Sequence, residues 1–189
     1  MEGSDAQARI DAALVERAVR DGDPRVFDML VRRHQGVVRA QLRRLLQGDT
    51  ATADDLAQET FLLAWRKLDQ FRGDARFATW LHRIAHTCFL QHVRARRPHA
   101  SAEEAADTLD SDPVHAGSGG QALKLDLDAA LRQLSTNQRA ALLYCAQLGL
   151  SHEEAAEVMS LPLGTVKTHI ARGKARLRTL LEAWNHGHE

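Results

Sequence analysis

The sequence predicts an all-α protein, with two small helical domains joined by a flexible acidic linker. Three observations predict it. Apolar residues recur at three- and four-residue spacing through most of the 189 residues, with only four prolines to interrupt them. From Pro98 to about Gln121 the periodicity stops, in a stretch rich in Ala, Ser, Asp, Glu and Gly that includes Gly117-Ser118-Gly119-Gly120. Charge divides the same way. Residues 1–97 carry 17 Lys/Arg and 13 Asp/Glu, residues 98–122 carry five acids and no bases, and residues 123–189 carry 8 bases and 7 acids. A formal net charge of zero thus hides an acidic strip between two neutral-to-basic blocks.

The first block, 1–97, reads as four helices packed in a bundle. A weakly patterned helix lies around Ile10–Arg20. Asp23-Pro24 starts the second, because Asp caps free amides and Pro suits a first turn. The run Val26, Phe27, Leu30, Val31, His34, Val37, Val38, Gln41, Leu42, Leu45 keeps three- and four-residue spacing and carries it to about Leu46. Gly48-Asp49 ends it. The third begins at Thr52 or Ala53 and runs through Leu56, Phe61, Leu62 and Trp65 to Leu68. A polar loop, Phe71 to Arg76, precedes the fourth, from Phe77 to about Arg97. In the second block, 123–189, helices are expected over Leu123–Gln133, Thr136–Leu148, Ser151–Met159 and Thr165–Trp184. Ser151 and Glu154 form a capping box, and Gly149 terminates the preceding helix. Two helices joined by Ser160-Leu161-Pro162-Leu163-Gly164 fit a helix-turn-helix.

Helical geometry divides the last helix into faces. Val166, Ile170, Gly173, Leu177, Leu180 and Leu181 fall on one side, a buried stripe in which Gly173 allows close approach of a neighbour. Thr165, Thr168, Arg172, Ala175 and Arg176 fall opposite, with His169 at the edge and Lys167, Lys174 and Arg178 on one flank. Arg172 and Arg176 suit bidentate bonds to guanine, Thr168 and His169 suit shorter contacts, and the Lys167, Lys174 and Arg178 flank suits backbone phosphates. Thr165 is placed at the helix start, where its hydroxyl and free amides would hold a phosphate. A solvated basic face is the competing reading, weakened by the capped helix and tight turn just before.

Several classes are excluded. No apolar run approaches the roughly 20 residues that span a bilayer, and the N-terminus has no signal-peptide pattern, so a cytoplasmic location is expected. No Gly-rich phosphate loop, nucleophile motif or carboxylate pair in an apolar pocket indicates an enzyme, and no cofactor is expected. Cys88 and Cys145 read as buried free thiols. His82 and His86 are four residues apart and would bridge a metal ion, but a structural zinc site needs four ligands and no metal is assigned.

Two segments carry a family resemblance. One is Asp54-Asp55-Leu56-Ala57-Gln58-Glu59-Thr60-Phe61-Leu62-Leu63-Ala64-Trp65, followed by Phe71-Arg72-Gly73-Asp74 and Phe77-Ala78-Thr79-Trp80-Leu81. The other is Leu150-Ser151-His152-Glu153-Glu154-Ala155-Ala156-Glu157-Val158-Met159 with Gly164-Thr165-Val166-Lys167-Thr168-His169. The chain resembles a group IV (extracytoplasmic function, ECF) sigma factor of bacterial RNA polymerase over about 11–97 and 123–184. The resemblance implies a sigma-2 domain that binds the clamp helices of the polymerase β′ subunit and melts the −10 element. It also implies a sigma-4 domain that reads the −35 element and touches the β flap. The linker would pass through the RNA channel of the polymerase, and a commonly membrane-bound anti-sigma factor would hold the protein inactive.

The residues accord with these roles. Asp54, Asp55, Gln58, Glu59 and Leu62 form an acidic and apolar stripe suited to a basic partner helix. Lys67, Phe71, Arg72, Arg76, Phe77, Trp80 and Arg83 place cations and aromatic faces around one loop, as displaced single strands require, and Asp74 lies within it. Thr87, Gln91 and His169 depart from the family, which often carries Asn, Asp and Arg there, so promoter preference does not transfer. The alternatives are a helix-turn-helix regulator that never joins core polymerase, and a helical decoy that titrates a regulator.

Overall fold

The computed structural model describes residues 2–96, 127 and 129–185. The acidic linker, 98–122, and residues 123–126 and 128 of the helix expected over Leu123–Gln133 lie outside the described residues; residues 127 and 129–132 are helical. By its contacts the chain divides into two compact units, Met1–His92 and Val93–Glu189. Among the described residues all regular structure is helical.

The first unit contains α1 (Glu2–Asp21), α2 (Pro24–Leu45), α3 (Thr50–Arg66), a 3-10 turn at Leu68–Gln70, and α4 (Phe77–Arg96). α1 starts earlier than the apolar pattern indicates. Polar contacts hold its early turns: Gln7 accepts from Arg33 Nη2, and the buried Asp11 accepts from Arg33 Nε and pairs with His34 Nε2, both at 2.8 Å. Asp23 caps α2 by accepting from the Arg25 amide at 2.9 Å. α3 begins at Thr50 rather than Thr52 or Ala53, because Asp49 is the cap and accepts from both Thr52 N and Thr52 Oγ1. Leu30, Val38 and Leu42 of α2, Ala53, Ala57 and Ala64 of α3, and Leu81, Ala85 and Phe89 of α4 are buried and make up the core.

His82 and His86, the candidate metal pair, belong to that core, at 6% and 2% exposure. His82 Nδ1 meets Gln41 Oε1 at 2.6 Å, and Gln41 Nε2 donates to the His82 carbonyl. Gln41 Oε1 can only accept, so His82 is the neutral, Nδ1-protonated tautomer. Burial holds both rings down to about 4. Cys88 is buried as expected, whereas Cys145 is only half-buried, because it lies on a cavity wall in the second unit.

The second unit contains α5 (Thr136–Leu142), a π-helical turn at Leu143–Gln147, α6 (His152–Met159) and α7 (Leu163–Asn185). Capping boxes start α5 at Ser135 and Gln138 and α6 at Ser151 and Glu154. The single helix expected over Thr136–Leu148 instead widens after Leu142, with the Leu148 amide reaching back five residues to the Leu143 carbonyl at 3.1 Å. Gly149 then turns the chain with φ +67°. Ser160, at φ 54°, ends α6 in the left-handed conformation.

Gly173 is the packing device that the apolar stripe of α7 predicts. A Cβ there would lie 2.9 Å from Leu142 Cδ1, so α5 and α7 approach as closely as glycine permits. Gly173→Val is expected to destabilise the second unit by about 2–3 kcal/mol through overpacking. Gly173→Ala should cost under about 1 kcal/mol, because Leu142 can rotate its terminal methyl and alanine favours the helix. Denaturant melts of the full chain followed by circular dichroism separate the two. Equal stability of Gly173→Val and the parent would contradict the close approach. The rest of the stripe is weaker than predicted: Val166 and Ile170 are buried, but Leu177, Leu180 and Leu181 are only half-buried.

Candidate nucleic-acid and partner interfaces

The basic face of α7 is positioned from its first turn. The helix starts at Leu163, not Thr165, because Pro162 supplies a helix-compatible φ and its carbonyl accepts from Val166 N at 3.1 Å. Thr165 therefore stands inside the first turn, half-buried, rather than at the start. Thr168 is exposed, but its hydroxyl donates to the Gly164 carbonyl at 2.9 Å, which aims it at its own helix. His169 is half-buried. Lys167, Arg172, Lys174, Arg176 and Arg178 are exposed, so five cations crowd the outward surface of one helix. On the Ile170 side of α7 lies an open cavity of about 410 Å³, walled by Leu142, Cys145, Leu150, Ile170 and Lys174.

In the first unit, α4 and the loop before it gather the predicted aromatic residues. Phe71 packs against Phe77 at 5.8 Å and against Trp80 at 5.4 Å, and Phe77 and Trp80 lie 5.6 Å apart. Phe77 is buried at 3% exposure and roots the cluster; Phe71 and Trp80 are half-buried. Gly73, with φ +78°, lets the loop turn. Lys67, Arg72, Asp74, Arg76 and Arg83 are all exposed in the same stretch. Arg76 is already engaged, its Nη2 donating to Asp5 Oδ1 of α1 at 3.1 Å. Thr87 is exposed, with its hydroxyl donating to the Arg83 carbonyl, and Gln91 is exposed.

The acidic stripe of α3 is split. Asp55, Gln58, Glu59 and Leu62 are exposed, and Leu62 is 59% exposed, unusual for a leucine in mid-helix. Asp54 differs. It is half-buried and pairs with Arg43 at 3.2 Å and Arg39 at 3.6 Å, both from α2. Sequence reasoning missed those arginines, along with Asp5, because helix periodicity says nothing about which neighbouring helix supplies a counter-charge. Among the described residues no group of three or more His, Cys, Asp or Glu is arranged to hold a metal ion. No described helix is long and apolar enough to cross a membrane.

Comparison with known proteins bears on both units. Residues 30–99 match the model of sigma-70 region 2, and residues 124–177 match that of sigma-70 region 4. The chain is 37% identical to the RNA polymerase sigma-H factor of Pseudomonas aeruginosa over 183 residues, covering 91% of this chain and 94% of that protein. It is 36% identical to the ECF RNA polymerase sigma-E factor of Escherichia coli K12 over 179 residues, covering 87% and 90%. Among solved structures it is similar to CnrH in complex with the cytosolic domain of CnrY, with 31% identity, a TM-score of 0.66 and coverage of 92% and 98%. It is also similar to the sigma factor RpoE in complex with the anti-sigma factor NepR from Bartonella quintana, with 28% identity, a TM-score of 0.67 and coverage of 82% and 96%. The chain belongs to the ECF group of the sigma-70 family: it is an alternative sigma factor, which binds core RNA polymerase and directs promoter-specific initiation of transcription.

Proposed function

We propose that this sigma factor divides its work along the chain: residues 1–97 bind core polymerase and open the −10 element, 98–122 connect, and 123–189 read the −35 element. On this reading Asp54, Asp55, Gln58, Glu59 and Leu62 meet the clamp helices of β′. Lys67, Phe71, Arg72, Asp74, Arg76, Phe77, Trp80 and Arg83 form the strand-opening site. Thr165, Lys167, Thr168, His169, Arg172, Lys174, Arg176 and Arg178 face the −35 duplex, and the open cavity beside Ile170, with Ser151, His152 and Lys174 also in its wall, suits a side chain from the β flap. The observation that carries the reading is the aromatic cluster of Phe71, Phe77 and Trp80, two of its rings half-exposed and flanked by exposed arginines. Unstacked bases need such faces, and a displaced backbone needs such cations.

RpoE was captured with an anti-sigma factor, and that supports control of this chain by a partner of the same kind, with activity in the cytoplasm. Run-off transcription with purified core polymerase on a promoter library tests the whole reading. Transcription that requires both components is expected. Duplex binding with no stimulation of core would instead favour a stand-alone helix-turn-helix regulator. Trp80→Ala is expected to slow open-complex formation about tenfold or more while changing duplex affinity less than about twofold, since stacking contributes roughly 1–3 kcal/mol per base. Permanganate footprinting of unpaired thymines reads the first quantity. Unchanged strand opening in a folded Trp80→Ala variant would remove the melting role.

A further inference from the structure

We infer that Asp5 is a built-in competitor for the nucleic-acid backbone at Arg76. The inference rests on reading the loop before α4 as a single-strand contact. Arg76 is the last loop residue before Phe77, and its Nη2 is held by Asp5 Oδ1 at 3.1 Å across 71 residues of sequence. Both side chains are open to solvent, at 62% for Asp5 and 50% for Arg76. A carboxylate oxygen seated on a guanidinium occupies the place that a phosphate oxygen takes, and like a phosphodiester it carries a single negative charge.

The position of Asp5 is fixed, not incidental. Six residues further along α1, Asp11 is buried at 3% exposure and ties α1 to α2 through Arg33 and His34, and Gln7 adds a third contact between them. His34 in turn packs edgewise on Phe77 at 5.4 Å. The buried Asp11 junction therefore touches both flanks of Arg76: Asp5 reaches its guanidinium, and His34 meets the ring of the next residue. A strand that enters the site must displace Asp5 to use Arg76. A weak or misplaced strand does not recover that cost, so the ion pair lowers affinity for nucleic acid in general and leaves it to strands that also stack on Trp80 and Phe71.

The test is binding of a fluorescently labelled oligothymidylate, (dT)15, to the full chain by anisotropy, across a range of salt. Asp5→Asn is expected to tighten binding by up to about fivefold, the range of an exposed ion pair. It should also steepen the dependence of log affinity on log salt by about 0.7, because Arg76 then neutralises one more phosphate of a single strand. Asp5→Glu, which keeps the carboxylate, should stay within about twofold of the parent. In an Arg76→Gln background the Asp5→Asn change should have no effect. Unchanged or weaker binding by Asp5→Asn overturns the proposal, as does equal tightening in the Arg76→Gln background, which would mean only general loss of negative charge. If Arg76→Gln and Trp80→Ala both leave (dT)15 binding unaltered, the single-strand reading of the loop falls and the proposal with it. If those two weaken binding while Asp5→Asn does nothing, the competitor alone is overturned.

Discussion

Acid is expected to unfold the first unit between pH 6.5 and 4 through two buried histidines. His82 is held down to about 4, first by burial and then by the nearby His34; His86 is held down to about 4 by burial alone. In the unfolded chain each ring takes up its proton near pH 6.5. Between those values the unfolded state binds more protons than the folded one, so stability falls as pH falls. The contribution is complete above about pH 7, declines below 6.5 and is lost once the pH passes about 4. Each ring accounts for roughly 3 kcal/mol over that window, at about 1.4 kcal/mol per pKa unit. The pair therefore rivals the roughly 5–15 kcal/mol that holds a small domain together.

Protonation at Nε2 leaves the Nδ1–H bond from His82 to Gln41 in place and instead puts a charge in the core. His82 donates from Nδ1 to Gln41, itself fully buried, so the added charge is forced into a packed, water-poor interior. Urea melts at pH 7, 6 and 5, followed by the fluorescence of Trp65 and Trp80, should show the first unit losing stability stepwise. A His82→Gln, His86→Gln double variant is expected to be less stable at pH 7 but nearly flat from pH 7 to 5. A parent midpoint that does not move over that range would contradict the assignment.

These histidines show where sequence was legible and where it was not. Their four-residue spacing suggested a metal pair. The better clue was their place among Leu81, Ala85 and Phe89, on the stripe that the helix turns inward. Local chemistry was readable because its partners lie within one turn: the Asp23 cap of α2, the Ser151–Glu154 box, and Gly173 in the α7 stripe. Features that depend on another element were not. Asp54 looked like one more member of an outward stripe until Arg39 and Arg43 of α2 were seen to hold it. The early start of α1 rests on Arg33 and His34, which no pattern within α1 announces. The π-helical turn follows Leu142, where residues Arg139 to Tyr144 are all buried. A run of six buried residues has no single apolar face, so periodicity could not place a change of helix type there.

The same distinction within α3 makes Leu62 the most informative residue for partner binding. Leu62→Asp is expected to weaken association with core polymerase about 30-fold, or about 2 kcal/mol, the cost of losing one apolar anchor at an interface. The side chain is 59% exposed in the free protein, so the exchange removes little from the fold, and a matching circular dichroism melt should be unchanged. Asp54 makes the opposite experiment. Asp54→Ala would also release Arg39 and Arg43, and a loss of binding would mix partner contact with rearrangement of α2 against α3. Glu59→Gln, at an exposed position, isolates charge: its effect should shrink as salt rises, whereas that of Leu62→Asp should persist. Titration of labelled protein with core polymerase at two salt concentrations distinguishes them. Equal affinity of Leu62→Asp and the parent at both would show that polymerase does not cover this face of α3. A salt-independent loss places an apolar contact at the centre of the stripe, with the acids around it setting orientation and encounter rate rather than holding the complex closed.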